Sequence, residues 1–289
     1  MGASDNAASN ESSMSCGVCG HWGEFEWPPS FRNGTCEYCG AHTRTLKCSN
    51  CGATDSFNLR ERLRCPRCGS ISRDRALVGM LGKCLGRTGP LCDWGKLGEV
   101  KIMVTSGYRA HPEWLSKIAD YYNTTYLQGA SRVRGRNVAN LEDLHFDSDF
   151  FDFVLSSDVL EHVRLYELAL RHIYRVLKPN DWFLPQAPYT HEWEKNVTRV
   201  RVSQEGQDVF LAPPEYHAEK ALLYRVFGRE LLSELRETGF ALAFLRYEDR
   251  EHAMSPQHII LCCKASYVPL THLLDPRRPF FLPPETQRS

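Results

Sequence analysis

No stretch of this chain approaches the roughly eighteen consecutive apolar residues that a membrane-crossing helix needs, so the sequence offers no candidate transmembrane helix. Net charge is absent as well. The 35 Lys and Arg balance 35 Asp and Glu, which argues against a nucleic-acid binder held by overall charge. The opening MGASDNAASNESS lacks the apolar segment of a secretory signal. A cytoplasmic protein with reduced thiols is therefore expected. Large apolar residues are too few in residues 15–70 for a core of ordinary kind, so that segment needs another source of stability.

Cysteine supplies it. Eight of the twelve cysteines form four Cys-x-x-Cys pairs, each followed by Gly: Cys16/Cys19, Cys36/Cys39, Cys48/Cys51 and Cys65/Cys68. Two thiolates so spaced grip one metal from a tight turn, and the Gly lets the backbone aim its amides at the sulfurs. Two such knuckles complete a tetrahedral four-cysteine site, so four imply two structural Zn2+ with no open position for chemistry. Sequential pairing gives loops of 16 and 13 residues, near the spacing of zinc ribbons. Cross-braced pairing, first with third and second with fourth, satisfies the same arithmetic. A disulfide framework is the alternative, and it requires an oxidising compartment.

Charge within this module is uneven. Residues 1–40 carry five acidic side chains against Arg32 alone, whereas residues 41–75 carry eight basic against three acidic. Two ribbons docked on each other, a partner protein held through the zinc module, and an RNA-gripping patch at Arg62, Arg64 and Arg67 each account for it. The aromatics Trp22, Phe25, Trp27 and Tyr38 fall in the acidic half, whereas stacking platforms for RNA sit in basic grooves.

The chain divides into a polar segment 1–14 expected to be disordered, two zinc ribbons at 15–70, a linker helix region at 71–98, an α/β domain at 99–267 and a Pro-rich tail at 268–289. Leu77, Met80, Leu81, Cys84 and Leu85 form one stripe of a helix beginning near Arg73, and Gly86–Gly98 reads as linker. Beyond residue 99 short apolar runs alternate with helical stretches, as in α/β folds. Strands are expected at 100–105, 124–127, 137–139, 151–156, 181–185, 241–247 and 258–263. Helices are expected at 111–122, 165–177 and 227–238, the last stopped by Gly239.

Phe151-Asp-Phe-Val-Leu-Ser-Ser-Asp-Val-Leu-Glu-His-Val, followed at helical distance by Arg175-Val-Leu-Lys-Pro, resembles class I S-adenosylmethionine-dependent methyltransferases, nearest the group acting on small molecules, lipids and sugars. The resemblance spans about residues 99–265 and implies a seven-stranded, mostly parallel Rossmann-like sheet with a final antiparallel strand. Cys65-Pro-Arg-Cys-Gly, Pro213-Pro-Glu-Tyr-His and Tyr224-Arg-Val-Phe-Gly resemble a bacterial subgroup with an N-terminal knuckle. By the same resemblance the cofactor is S-adenosylmethionine. Ser106 and Gly107 then occupy the turn after the first strand, and Gln128 stands where a ribose-binding acid is usual. Asp143 and Leu144 lie at the adenine, with Ser157 and Asp158 after the fourth strand. The turn Val104-Thr-Ser-Gly-Tyr-Arg-Ala-His carries one Gly and no carboxylate, unlike the family's glycine-rich turn. Lys178-Pro-Asn-Asp replaces the usual Lys-Pro-Gly-Gly at a surface turn where Asn and Asp tolerate left-handed backbone.

Methyl transfer needs alignment above all, and a base only for a hydroxyl or protonated amine. His191 is the expected base because imidazole titrates near neutral pH. Tyr189 and His217 are expected beside it, with Tyr189–Trp193 and Glu215–His217 roofing the pocket. His162 is expected only to open the next helix, and Cys262 and Cys263 to lie in the core. The expected activity is methyl transfer to a small polar acceptor: a hydroxyl, amine or sugar. The alternatives are a methyltransferase-like scaffold without activity and an RNA methyltransferase that holds RNA through the zinc module, with Arg132, Arg134 and Arg136 as a further anion-gripping loop.

Overall fold

The computed structural model describes residues 65, 68–105, 112–123, 140–190, 193–217, 221–249 and 254–265, with the backbone of a two-stranded hairpin at Phe31–Arg32 and Thr35–Cys36. Of the eight expected zinc ligands, Cys16, Cys19, Cys39, Cys48 and Cys51 lie outside the described residues, and Cys36 is described in its backbone alone. Only Cys65 and Cys68 of the expected two-zinc ribbon module have described side chains. The strand expected at 137–139 and the tail also lie outside them.

Among the described residues six strands form one sheet, against the seven expected. Its strands are β1 (Lys101–Val104), β2 (Asp120–Asn123), β3 (Phe151–Ser157), β4 (Leu177–Gln186), β5 (Ala241–Asp249) and β6 (Met254–Cys263). Their spatial order is β5-β6-β4-β3-β1-β2. β2, β1, β3 and β4 are parallel neighbours, and β6 is antiparallel to both β4 and β5. The helices are α1 (Ser72–Cys84), α2 (Pro112–Ile118), α3 (Tyr166–Val176) and α4 (Glu230–Thr238).

Alternation along the strands makes two cores, because successive side chains leave a strand on opposite faces. Ile102, Val104, Phe153, Leu155, Trp182, Leu184, Ile259 and Leu261 pack with α1 and α2. Met103, Val154, Phe183, Ile260 and Cys262 pack with α3 and α4. β3, inside the sheet and covered on both faces, is a nearly continuous apolar run for that reason. Cys262 and Cys263 are fully buried, as expected.

Three expectations change. The helix expected over 111–122 ends at Ile118, and residues 120–123 instead pair with β1, four residues before the expected second strand at 124–127. The fourth connection also differs: Leu177 already pairs with Phe151, and Trp182 with Phe153, so residues 178–181 bulge from the ladder. Asn180 has φ 67° there, the left-handed backbone expected of it. Finally, the stretch Gly86–Gly98, expected as linker, is packed: Leu91 and Trp94 are buried in the first core beside Leu77, Met80 and Leu81 of the expected helix. Gly82 makes that packing feasible, since a Cβ there would stand 2.8 Å from the Trp94 ring.

Smaller ribbons hang beyond the carboxyl ends of β3 and β4. Val200–Val202 pairs with Asp208–Phe210, Val197–Thr198 with Arg225–Val226, and Tyr216–His217 with Ala221–Leu222.

Candidate active site

In an open α/β sheet ligands lie outside the carboxyl ends of the parallel strands. Three polar atoms there are buried without a hydrogen-bond partner among the described residues: Thr105 Oγ1 after β1, Asn123 Oδ1 at the end of β2 and Ser156 Oγ near the end of β3. Buried polar groups are normally paired. Strand alternation puts Thr105 and Ser156 on the face covered by α3 and α4, and Asn123, in register with Val104, on the opposite face. Sequence reasoning misses Asn123 because it places the second strand four residues later.

The end of β3 is tightly stitched. Asp158 takes φ 52° and donates its N–H to the Gln186 carbonyl at 2.7 Å. Ser157 Oγ donates to Gln186 Oε1 at 3.2 Å, and Gln186 Nε2 donates to the Arg73 carbonyl at 3.2 Å. Arg73 Nη1 in turn meets Asp158 Oδ1 at 2.5 Å, tying the start of α1 to this turn. Nothing in the sequence periodicity signals that pair.

Glu161 and His162 follow in a short 3-10 turn, Leu160–His162, rather than opening a helix, since α3 starts only at Tyr166. Glu161 is 1% exposed, and neither carboxylate oxygen has a hydrogen-bond partner among the described residues. Burial pushes its carboxyl up to about 8, with the Asp158 charge adding to the rise. The His162 ring is held below its usual pKa, first by burial. Its Nδ1 lies 2.9 Å from the Leu222 carbonyl. A carbonyl only accepts, so Nδ1 carries the proton and Nε2 keeps its lone pair. His217 packs edge-on against His162, ring centres 5.1 Å apart, with its Nε2 3.3 Å from Glu215 Oε1.

Arg225 holds this loop in place. It is buried, and its guanidinium donates to the carbonyls of Leu160 at 3.1 Å, Val163 at 2.5 Å and Arg164 at 3.0 Å. It also lies 4.1 Å over the Tyr166 ring. Tyr224 donates its backbone N–H to the Glu161 carbonyl at 2.9 Å, and its hydroxyl reaches Asp208. The Tyr224–Gly228 segment singled out in the sequence thus positions the Glu161 loop.

Among the other expected site residues, Ser106, Gly107, Gln128 and His191 lie outside the described residues, as do Arg132, Arg134 and Arg136. Asp143 presents an exposed carboxylate, 3.3 Å from His145 Nε2. Leu144 is buried in the second core. Arg175 donates to the carbonyls of Leu144 and Phe146 at 2.6 and 2.7 Å, which fixes the loop bearing Asp143. Glu142 accepts the Leu165 N–H at 2.9 Å, at the approach to α3. Tyr189 bridges to Phe227 and packs 5.4 Å from the Phe244 ring.

Of the four knuckles only the last, Cys65 and Cys68, has described side chains. Gly69, at φ 73°, donates its N–H to the Cys65 carbonyl at 2.9 Å, and Cys65 N–H donates to the Ser70 carbonyl at 2.8 Å. Arg75, fully buried, donates to the same Ser70 carbonyl at 2.6 Å.

Residues 118–184 match the family model described as a methyltransferase domain. The mitochondrial 2-methoxy-6-polyprenyl-1,4-benzoquinol methylase of Gallus gallus is 44% identical over 59 residues, 20% of this chain and 18% of the relative. The chain thus spans about a fifth of that relative's length. Among solved structures, a Burkholderia thailandensis 1,6-didemethyltoxoflavin-N1-methyltransferase is 17% identical over 66% of this chain and 77% of its own, with a TM-score of 0.42. An S-adenosylmethionine-dependent methyltransferase from Mesorhizobium loti is 16% identical over 67% and 98%, with a TM-score of 0.40. The family match covers β2, β3, α3 and most of β4, and the reversed strand β6 completes the sheet beside them. Among the described residues no helix is long and apolar enough to cross a membrane.

Proposed function

We propose that this chain transfers the methyl group of S-adenosylmethionine to a small polar acceptor, and that its eight knuckle cysteines hold two structural Zn2+. The observation that carries the first part is the pair of orphaned buried hydroxyls, Thr105 Oγ1 and Ser156 Oγ, on one face at the carboxyl ends of two adjacent parallel strands. That pair suits polar groups of the cofactor, which brings an activated methyl group when bound. Asp143 takes the adenine amino group, on a loop that Arg175 holds. Gly107 allows the closest backbone approach, with Ser106, Gln128, Ser157 and Asp158 completing the cofactor set. Tyr189, His191 and His217 line the acceptor side, with His191 as base. The backbone hydrogen bonds that shape the Cys65 turn support the metal reading.

Calorimetric titration of the full chain with S-adenosylmethionine tests this. Saturable binding is expected, lost in Asp143→Ala, with His191→Asn lowering turnover by about 10²–10⁴-fold at nearly unchanged cofactor affinity. Absence of binding at millimolar cofactor would instead make the chain a scaffold that keeps only the fold.

A further inference from the structure

We propose that Glu161, His162 and His217 form a binding site for one divalent transition-metal ion, placed after β3 where an acceptor oxygen can complete its coordination. Each residue offers one ligand atom, and the three atoms lie within 4.8 Å of one another. A bound ion sits about 2.0–2.2 Å from such nitrogens and oxygens, so tetrahedral ligands stand about 3.3–3.6 Å apart. A side-chain rotation that moves the exposed His217 ring by roughly 1 Å brings its nitrogen into that range.

Two further observations point to a cation. Glu161 is 1% exposed, and its carboxylate meets no hydrogen-bond donor among the described residues. A buried acid left that way is costly unless something positive meets it. His162 is already oriented as a ligand: Nδ1–H donates to the Leu222 carbonyl, and Nε2 points toward Glu161 Oε1 at 3.8 Å. A second hydrogen bond on the far ring nitrogen is how proteins fix the tautomer and orientation of metal-binding histidines. Glu215 sits on the His217 ring in a similar supporting role. The Tyr224 amide and the three Arg225 hydrogen bonds hold the Glu161 loop rigid.

Two imidazoles and one carboxylate suit Mn2+, Fe2+, Co2+ or Zn2+, and they leave coordination positions open. This site therefore takes an acceptor with a metal-coordinating hydroxyl, a narrower class than the methyl-transfer reading on which this step rests. Coordination lowers the hydroxyl's pKa. Its proton passes to the base of the proposed function, His191, its oxygen bonds the methyl carbon, and the breaking C–S pair returns to the cofactor sulfur.

The test is titration of the full-length, zinc-loaded chain with Mn2+, read by the electron paramagnetic resonance signal of free Mn2+. Thiolate sites do not favour this hard ion. One saturable site per chain is expected, weakened at least about 100-fold in Glu161→Gln and in His217→Asn, beyond the effect of an outer-shell partner. His217 is 40% exposed, so its variant keeps the fold. Equal Mn2+ binding in both variants, or only unsaturable binding up to millimolar ion, would overturn the site. A parallel S-adenosylmethionine titration separates the two ideas. Cofactor binding without a Mn2+ site sinks only the cation proposal, and a Mn2+ site without cofactor binding sinks the methyl-transfer reading and leaves the cation site standing.

Discussion

Removing the Arg225 guanidinium should unfasten the loop that carries Glu161 and His162. Arg225 is 6% exposed and supplies donors to three carbonyls within five residues, Leu160, Val163 and Arg164. Leaving a buried acceptor without a donor costs about 1–3 kcal/mol. The three losses are coupled, and the outermost carbonyl can take water, so Arg225→Met should destabilise the domain by about 3–5 kcal/mol. Methionine is chosen because it keeps most of the stem that packs on Tyr166, and alanine should cost about 1–2 kcal/mol more through lost packing alone. Lysine keeps the charge but has no planar fork and cannot serve all three carbonyls, so Arg225→Lys should fall between, at about 1.5–3 kcal/mol. The assay is urea unfolding of the zinc-loaded chain at fixed pH, followed by tryptophan fluorescence, with a shifted midpoint at constant slope. Arg225→Met within about 0.5 kcal/mol of the parent would refute the reasoning. Lysine as good as arginine would show that charge, and not geometry, is what the loop needs.

Other outcomes follow from the same structure. Burial, reinforced by Asp152, lifts the Asp181 carboxyl to about 7. The folded state therefore holds a proton that the unfolded chain has released by about pH 4. Stability should fall as pH rises from about 4 to 7, by about 1–2 kcal/mol after discounting partial exposure, and Asp181→Asn should flatten that slope. An unchanged slope in the variant would count against it. A Cβ at Gly228 would stand 2.4 Å from the Lys195 carbonyl oxygen and 2.7 Å from that of Trp193. Both are backbone atoms, so Gly228→Ala should cost at least about 2 kcal/mol in thermal unfolding, and an unchanged midpoint would show that this turn yields. Elemental analysis should find about two zinc atoms per chain, falling to about one in Cys65→Ser. Cys19, Cys39 and Cys51 each close a knuckle in the same way, so each changed to Ser should also release about one zinc. Metal-free protein with paired disulfides would refute the ribbon reading.

What the sequence revealed divides along a physical line. Strand β3 and helix α3 were readable because burial on both faces, or along one stripe, writes itself into local residue order. Strand β2 was missed because only pairing with β1 reveals Asp120-Tyr-Tyr-Asn as a strand, and the strand expected at 124–127 lies outside the described residues. Helical spacing also ran on through Tyr121 and Tyr122, which tertiary pairing overrode. The linker reading rested on four glycines between Gly86 and Gly98, and it overlooked Leu91 and Trp94, whose burial depends on α1 folding beside them. For the site, Asp158 and His217 were named from position alone. Glu161 went unnoticed, and His162 was given only the opening of a helix, because Leu-Glu-His-Val reads as a helix start. The meaning of Glu161 lies in what fails to meet its carboxylate, and no local pattern encodes that.

The segment Ser70-Ile-Ser-Arg-Asp-Arg75 shows how few residues join the knuckle to the site. Arg75 binds the Ser70 carbonyl, which also closes the Cys65 turn. Asp74 Oδ2 accepts the Ile71 N–H at 2.9 Å and starts the helix. Arg73 reaches across to Asp158, and its carbonyl receives Gln186. Three consecutive side chains thus face three different tasks, which a helix start allows because neighbours point about 100° apart. The partly exposed Arg73–Asp158 pair contributes little stability by itself, so its value is positional: it sets where the left-handed Asp158 turn lies relative to α1. Since α1 is buried against β5 and β6 along its length, it cannot move without disturbing the first core. The knuckle and the end of β3 are therefore held to one rigid helix, and the Cys65 turn serves the same structure as the site.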